Sequence, residues 1–339
     1  MASEPQLLSL NAQLTTFVAG VQPPDLLGRI IAPPSPAQLI SDVTFNWWKF
    51  DPAEYLRKQD TKVNRRGTIP VTDFAFTTDT DVLADHGQQI INPNDISLIS
   101  DDRPPQILQV PVNVRMAKLK ALTETFWFSH EFEVRDLVFT AGNYQAANTR
   151  TAASTDMVDN SDNDPIKVIQ EILDTPLIPP NALVMGLAVW RPLQRHPQMV
   201  SAIKAVLGSR AAVSGQVNQD EVAALFGLKQ VLVGRQRTNN ANPGQTASYS
   251  RIWGKHLAAI RIEDAPQSTV SPYPGSALTA YGNIMNAGPV FVASRTIQPG
   301  DESGGLYGAI ADIIGHTRKV LMVNPDSCYL LANCVQNDV

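Results

Sequence analysis

Hydrophobic and polar positions follow different periods in different stretches of the chain. Between residues 115 and 140, Leu119, Leu122, Phe126, Leu137 and Val138 recur near three- and four-residue spacing, with Lys118, Lys120, Glu124, Glu131, Glu133 and Arg135 between them. That period predicts one long helix, roughly 37 Å at 1.5 Å per residue, with Gly142-Asn143 as its stop. Upstream, residues 1–44 hold short apolar clusters (Leu7, Leu8, Leu10; Leu26, Leu27, Ile30, Ile31) split by Pro23-Pro24 and Pro33-Pro34-Ser35-Pro36. Each proline fixes φ and removes an N–H. The stretch reads as an arm too broken to form a core of its own.

Residues 45–77 pair two β-prone segments, Phe45-Asn46-Trp47-Trp48-Lys49-Phe50 and Val71-Thr72-Asp73-Phe74-Ala75-Phe76, around a polar and basic stretch. This predicts a long protruding hairpin, the kind of loop that carries binding function. From about residue 156 the elements become short. Asp164-Pro165 reads as an N-cap and first helical position opening Ile166 to Leu173. Ala182 to Ala188 is a short apolar run that reads as a buried strand, and Pro197 opens a further helix. Asn218 with Glu221 forms a capping box for Val222 to Phe226, closed by Gly227 and followed by a strand at Val231 to Gly234. Strands are expected at Pro289 to Ala293, Lys319 to Val323 and Tyr329 to Val335. The fold class is α+β with arms.

Composition narrows the class. Of 339 residues, 43% are hydrophobic and 17% charged, enough apolar content for a buried core. The net charge of −5 gives no broad electrostatic footprint for nucleic acid. Twenty-five prolines favour extended arms and ordered loops over a helix bundle. Cys328 and Cys334 are too few for a disulfide scaffold, which fits a reducing compartment. The longest apolar run, Ala182 to Trp190, falls far short of the ~20 residues that cross a bilayer. The N-terminus lacks a basic stretch leading into an apolar one, so neither a signal peptide nor a membrane partner is expected.

Most chemical motifs dissolve on inspection. Gly300-Asp301-Glu302-Ser303-Gly304-Gly305 resembles a serine-nucleophile segment, but Glu302 breaks the spacing and nothing in the sequence orients His316 as a base. A Gly-rich turn accounts for it better. Asp156, Asp159, Asp162 and Asp164 lack the Gly and Glu that a calcium loop needs. The five histidines stand singly, and Cys328 and Cys334, six apart, fall on one strand face without further ligands, so no metal or cofactor is expected. Phosphate-loop, dinucleotide and hydrolase-elbow signatures do not occur, and the chain reads as a non-enzyme. The basic stretch Arg57, Lys58, Lys62, Arg65, Arg66 lies near Asp51, Glu54 and Asp60, which suits salt bridges between subunits better than nucleic acid. On an extended hairpin one ring of Trp47-Trp48 is expected to face outward and want a partner surface.

The order of arm, hairpin, long helix, compact α/β portion and returning strands resembles the major capsid proteins of tailed bacteriophages, the Hong Kong 97-type fold also used by encapsulin shells. Phe139-Thr140-Ala141-Gly142-Asn143-Tyr144 is similar to the segment closing that family's spine helix. Asn181 to Gly186, then Trp190, Leu193 and His196-Pro197, are similar to its axial strand and following helix. Leu225 to Leu228 with Val231 to Gly234, and Ile252-Trp253-Gly254-Lys255, resemble its later steps.

The resemblance implies an N-terminal arm (1–44), an E-loop (45–77), a peripheral P-domain holding the spine helix (78–155, with return strands at 266–339) and an axial A-domain (156–265). It implies hexamers and pentamers closing an icosahedral shell around double-stranded DNA, in a virion assembled in the host bacterial cytoplasm, with scaffolding, portal and decoration proteins as further partners. No N-terminal stretch is long enough for a fused scaffolding domain, so a separate scaffolding protein is expected if one is used. Some relatives crosslink an E-loop lysine to a neighbour's asparagine; Lys58 and Lys62 lie on the hairpin, but no motif marks the asparagine. Trp47, Trp48, Arg57, Lys58, Lys62, Arg65 and Arg66 are the expected inter-subunit contacts. Arm and hairpin are expected to gain stabilisation only against neighbouring subunits, at roughly 25 cal/mol per Å². An acidic subunit also grips packaged DNA weakly. The alternatives are an encapsulin-like compartment shell and a serine hydrolase built on Ser303 and His316.

Overall fold

The computed structural model describes residues 9–10, 12–20, 26–34, 40, 42–49, 58, 62, 77–93, 114–207, 215–242, 244–263, 275–283, 290–300 and 306–336. In chain order these form β1 (Ser9–Leu10), α1 (Ala12–Gly20), α2 (Gly28–Ile31), β2 (Thr44–Lys49), β3 (Thr77–Val82), β4 (Ala84–Pro93) and α3 (Val114–Phe139). Next come β5 (Thr149–Thr151), α4 (Pro165–Asp174), β6 (Ala182–Gly186), α5 (Leu187–Arg195), α6 (Pro197–Leu207), α7 (Gln219–Phe226) and β7 (Gln230–Gly234). The chain continues through β8 (Arg237–Asn239), β9 (Tyr249–Arg251), β10 (Leu257–Ile260), β11 (Ala277–Tyr281), β12 (Phe291–Ile297), β13 (Ala309–Met322) and β14 (Tyr329–Ala332).

The first sheet is organised around β13, fourteen residues long. β12 and then β11 pair along one of its edges, and β4 along the other. β1 extends the sheet from β12. The second sheet runs β5-β14-β10-β6-β7. It is buried on both faces, which is why β6 reads as a continuous apolar run rather than an alternation. Leu183, Met185, Val231, Val233, Leu257, Ala259, Tyr329 and Leu331 pack toward the helices that follow β5 and β6. Their neighbours Ala182, Val184, Leu232, Ala258, Ile260 and Leu330 pack on the opposite side with α2, α3 and Trp253.

Several local expectations are met. The long helix spans Val114–Phe139, with Leu119, Thr123, Phe126, His130, Val134 and Val138 buried along one stripe. Asp164 accepts from the Ile166 and Lys167 N–H groups at the start of α4. Asn218 and Glu221 make the reciprocal capping box of α7, and Gly227 ends it with φ +67°. Gly300, at φ +91°, lies in a turn after β12, and residues 301–305 of the expected Gly-rich turn lie outside the described residues.

Others need correction. The second hairpin strand is Thr77–Val82, paired with Thr44–Lys49, while residues 71–76 lie outside the described set. Thr78, Asp79 and Thr80 are exposed, so β3 has no apolar alternation to announce it, whereas Phe45 and Trp47 of β2 are half-buried on alternate positions. The two cysteines do not share a face: Cys328 is buried on the α3 side of the second sheet and Cys334 on the other. Burial raises the Cys328 thiol to about 11 and the Cys334 thiol to about 12.

The described part of the arm also departs from expectation. Leu14 and Val18 of α1 are buried with Leu119, Phe126, Val292 and Ile314 of the same chain, and Leu27, Ile31 and Ala32 join the core beneath α3. Of the described pieces, α1 and α2 dock on the chain's own spine helix, β1 pairs with β12, and Ile40 packs with Leu83, Leu278 and Leu321.

Candidate functional site: the anchored spine helix and the projecting hairpin

α3 is fastened to the rest of the subunit by three polar anchors. At its N-terminal turn, Arg115 donates to Asp312 of β13 through Nε at 2.7 Å and a terminal nitrogen at 2.5 Å. Asp312 is fully buried and also accepts from Ser294 Oγ (2.7 Å) and Asn92 Nδ2 (3.1 Å). A buried carboxylate is tolerated when it is paired and its lone pairs are filled, as here.

Further along, Arg318 of β13 is enclosed. It donates to Glu133 at 2.6 and 2.9 Å, to Ser129 Oγ at 3.2 Å and to the Phe126 carbonyl at 3.3 Å.

The third anchor joins three distant stretches. Glu131, fully buried on α3, accepts from Gly28 N–H (2.6 Å), Leu27 N–H (3.1 Å) and Trp253 Nε1–H (2.6 Å). Burial pushes its carboxyl above the usual range, opposed by these three donors. Close by, Thr279 Oγ1 donates to the Ala32 carbonyl at 2.8 Å, so it accepts from His130 Nε2 at 2.9 Å and fixes that tautomer. Arg29 lies 4.8 Å over the Trp127 ring. Residues 27–32 are thus held against α3 by hydrogen bonds as well as packing.

Trp253 is the hub of that anchor. Its ring meets Phe139 edge-on at 5.5 Å and fills the space above Gly234. A Cβ on Gly234 would overlap the Trp253 ring, and one on Gly186 would overlap the Gly254 carbonyl. Gly234→Val is therefore expected to destabilise the subunit by about 3 kcal/mol or more, because a fully buried ring must move or lose its bond to Glu131. Chemical denaturation would show this as a lowered midpoint; an unchanged midpoint would refute the packing.

The histidines are not isolated as the sequence suggested. His86 and His316 are 5.2 Å apart, and His316 meets Phe126 at 4.8 Å. Burial, reinforced by Arg318, drives His130 down to about 3 and His316 to about 2. His316 Nε2 is buried with no hydrogen-bond partner, the setting of a packed ring rather than an accessible base. Ser303 lies outside the described residues.

Both imidazoles titrate near 6.5 when unfolded, so below that pH the unfolded chain binds more protons than the folded one. Stability should fall as pH drops from about 6.5, by about 2 kcal/mol for each imidazole at pH 5. The raised carboxyl of Glu131 offsets part of this. A thermal midpoint clearly lower at pH 5 than at pH 7, with roughly half the difference removed by His316→Leu, is the expected result. Equal midpoints would contradict it.

The hairpin formed by β2 and β3 leaves the body beside the first sheet. Leu83 N–H donates to the Val43 carbonyl, and Lys319 pairs with Asp81 at 3.3 Å. Trp47 is half-buried with Phe45 and Ile40 against Leu83, Leu278, Ala280, Leu321 and Val323 of the same chain. Of the pair, Trp47 therefore packs on its own subunit. Trp48 pairs through its backbone with Thr78. Lys58 and Lys62 are exposed, while Arg57, Arg65 and Arg66 lie outside the described residues. Arg115, Glu131, Glu133, Asp312 and Arg318 were not singled out by sequence reasoning. Charged residues on a helix or strand read as a solvated face, and only the packing of the sheet on α3 buries Glu131, Asp312 and Arg318 and half-buries Arg115 and Glu133.

Among the described residues no helix is long and apolar enough to cross a membrane, and no group of His, Cys, Asp and Glu is arranged to hold a metal ion. No family model matches the chain. It is 28% identical over 314 residues to the major capsid protein of Pseudomonas phage JBD67, covering 91% of this chain and 93% of that one. It is 24% identical over 202 residues to the major capsid protein of Burkholderia phage BcepMu, covering 55% and 62%. Among solved structures, a phage-related protein of Bordetella bronchiseptica RB50 matches with a TM-score of 0.68 at 17% identity, over 97% of this chain and 99% of that one. A prophage protein of Escherichia coli CFT073 assigned as a capsid protein matches at 0.56 and 13% identity, over 96% and 99%.

A spine helix clamped to a long-stranded sheet, a second sheet covered by short helices, and a projecting hairpin define the Hong Kong 97-type capsid fold. The chain is a phage capsid shell protein, homologous to phage major capsid proteins.

Proposed function

We propose that the chain assembles into hexamers and pentamers that close the icosahedral head of a tailed phage around double-stranded DNA. The observation that carries this is the nearly end-to-end match to a phage major capsid protein. On this reading residues 1–44 are the N-arm and 45–77 the E-loop. Residues 78–155 and 266–339 form the P-domain, and 156–265 the A-domain. The pairing of β14 with β10, and of β5 with β14, supports drawing the A-domain around its whole sheet rather than as one stretch. Trp48, Arg57, Lys58, Lys62, Arg65 and Arg66 form the hairpin set that meets neighbouring copies, while Trp47, expected in the same set, packs on its own subunit. A hairpin whose described lysines, Lys58 and Lys62, are exposed suits heterologous contacts, which close into rings when the rotation allows.

The test is to purify particles from lysed host cells and treat them with nuclease. Protected double-stranded DNA, in particles whose most abundant protein is this chain, is the expected result. Particles that enclose a protein cargo and no DNA would replace this reading with a compartment shell.

A further inference from the structure

The charge of this chain is segregated. Residues 175–262 carry ten Lys and Arg against two acids, a net +8, while the remainder carries seventeen against thirty, a net −13. No acid occurs between Glu221 and Glu263, a span holding Lys229, Arg235, Arg237, Arg251, Lys255 and Arg261.

The second sheet turns this segregation into geometry. β7 is one edge strand and β5 the other. Lys229 precedes β7, and Arg235 and Arg237 follow it, all three exposed. The ribbon of β8 and β9 that grows from this edge also presents Tyr249, 68% exposed. Two acids, Asp220 and Glu221, sit at the start of α7 on this side, and Glu221 is committed to its capping box.

At the opposite edge, residues 154–174 carry six acids and one lysine. They are tied to β14 and β5: Ala152 N–H donates to the Ala332 carbonyl, Gln336 N–H to Asp159, and Arg150 to Glu171 and Asp156. Asp159, Asp162, Asp164, Glu171 and Asp174 are all exposed. Leu177, just beyond, is 54% exposed.

We infer that the basic β7 edge of one copy docks against the acidic edge of the next copy, head to tail around a ring. This rests on the shell reading above. A heterologous contact needs two different, complementary patches on one molecule. This sheet has one at each end, with opposite charge and an exposed apolar side chain in each. Guarding an edge strand against aggregation would explain the cations alone, but not the acids at the far edge. Tyrosine and arginine together are also typical of interface centres. Phosphate is a weaker candidate occupant, because a basic patch on its own would need no acidic counterpart.

The experiment uses the full chain and three variants: Arg235→Glu with Arg237→Glu, Asp162→Lys with Asp174→Lys, and all four together. Sedimentation velocity and electron microscopy measure the fraction in rings or shells, with circular dichroism as the folding control. Each double variant should lose at least tenfold in assembled fraction, and the fourfold variant should recover most of it. Double variants that assemble like wild type, or a fourfold variant no better than the doubles, overturn the edge contact and leave the shell reading standing. Wild type that forms no multimers, even when co-expressed with the proteins encoded beside it, overturns the shell reading itself. Arg235→Glu with Arg237→Glu that assembles normally but no longer retains double-stranded DNA would assign the edge to phosphate instead.

Discussion

Deletion of residues 1–34 is expected to unfold the subunit, not to leave a soluble one that merely fails to close shells. Leu14, Val18, Leu27 and Ile31 are buried within their own chain, and each such side chain contributes about 1.5–3 kcal/mol on full burial. Together they rival the roughly 5–15 kcal/mol that holds a typical domain folded. The deletion also removes two of the three donors to Glu131 and exposes the α3 stripe at Leu119 and Phe126. The check is thermal and urea unfolding of the truncated chain. Loss of the cooperative transition supports the account. A cooperative transition near the wild-type midpoint would show that the segment docks elsewhere, on a neighbouring copy for instance.

Glu131→Ala is the second large effect expected. Three donors converge on this carboxylate, and alanine would strand Trp253 Nε1–H and the Leu27 and Gly28 N–H groups without a partner. Orphaned buried donors cost about 1–3 kcal/mol each, and small relaxations recover part of that, so a net loss of about 3–5 kcal/mol is expected. Glu131→Gln keeps an acceptor oxygen and should lose much less, about 1–2 kcal/mol. The contrast between the two variants in urea unfolding is the informative readout. Equal, small losses for both would mean that the anchor does not hold residues 27–32 to the spine.

Local signals in the sequence were strong where the backbone chemistry is local. The spine helix, the Asp164 cap, the Asn218–Glu221 capping box and the Gly227 stop follow from residues within a few positions of each other. Strands buried on both faces, β6 and β7, announce themselves as apolar runs. What stayed hidden depends on contacts across the chain. β4, Ala-Asp-His-Gly-Gln-Gln-Ile-Ile-Asn-Pro, has no alternation, and it is a strand because β13 offers ten residues of pairing. Glu131 and Arg318 look like solvated charges until 104 and 192 residues of separation are closed, to Leu27 and to Phe126 respectively. The arm misled for a related reason. Prolines do prevent a continuous element, but they do not stop short helices from docking on a spine that supplies the missing apolar face.

The measurement that tests the central claim most directly is electron microscopy of the purified full-length chain, with sedimentation on the same sample. Closed polyhedral particles, or rings of five and six subunits, are the predicted result. A chain that remains monomeric at every concentration, including when co-expressed with the proteins encoded beside it, would contradict its role as a capsid shell subunit.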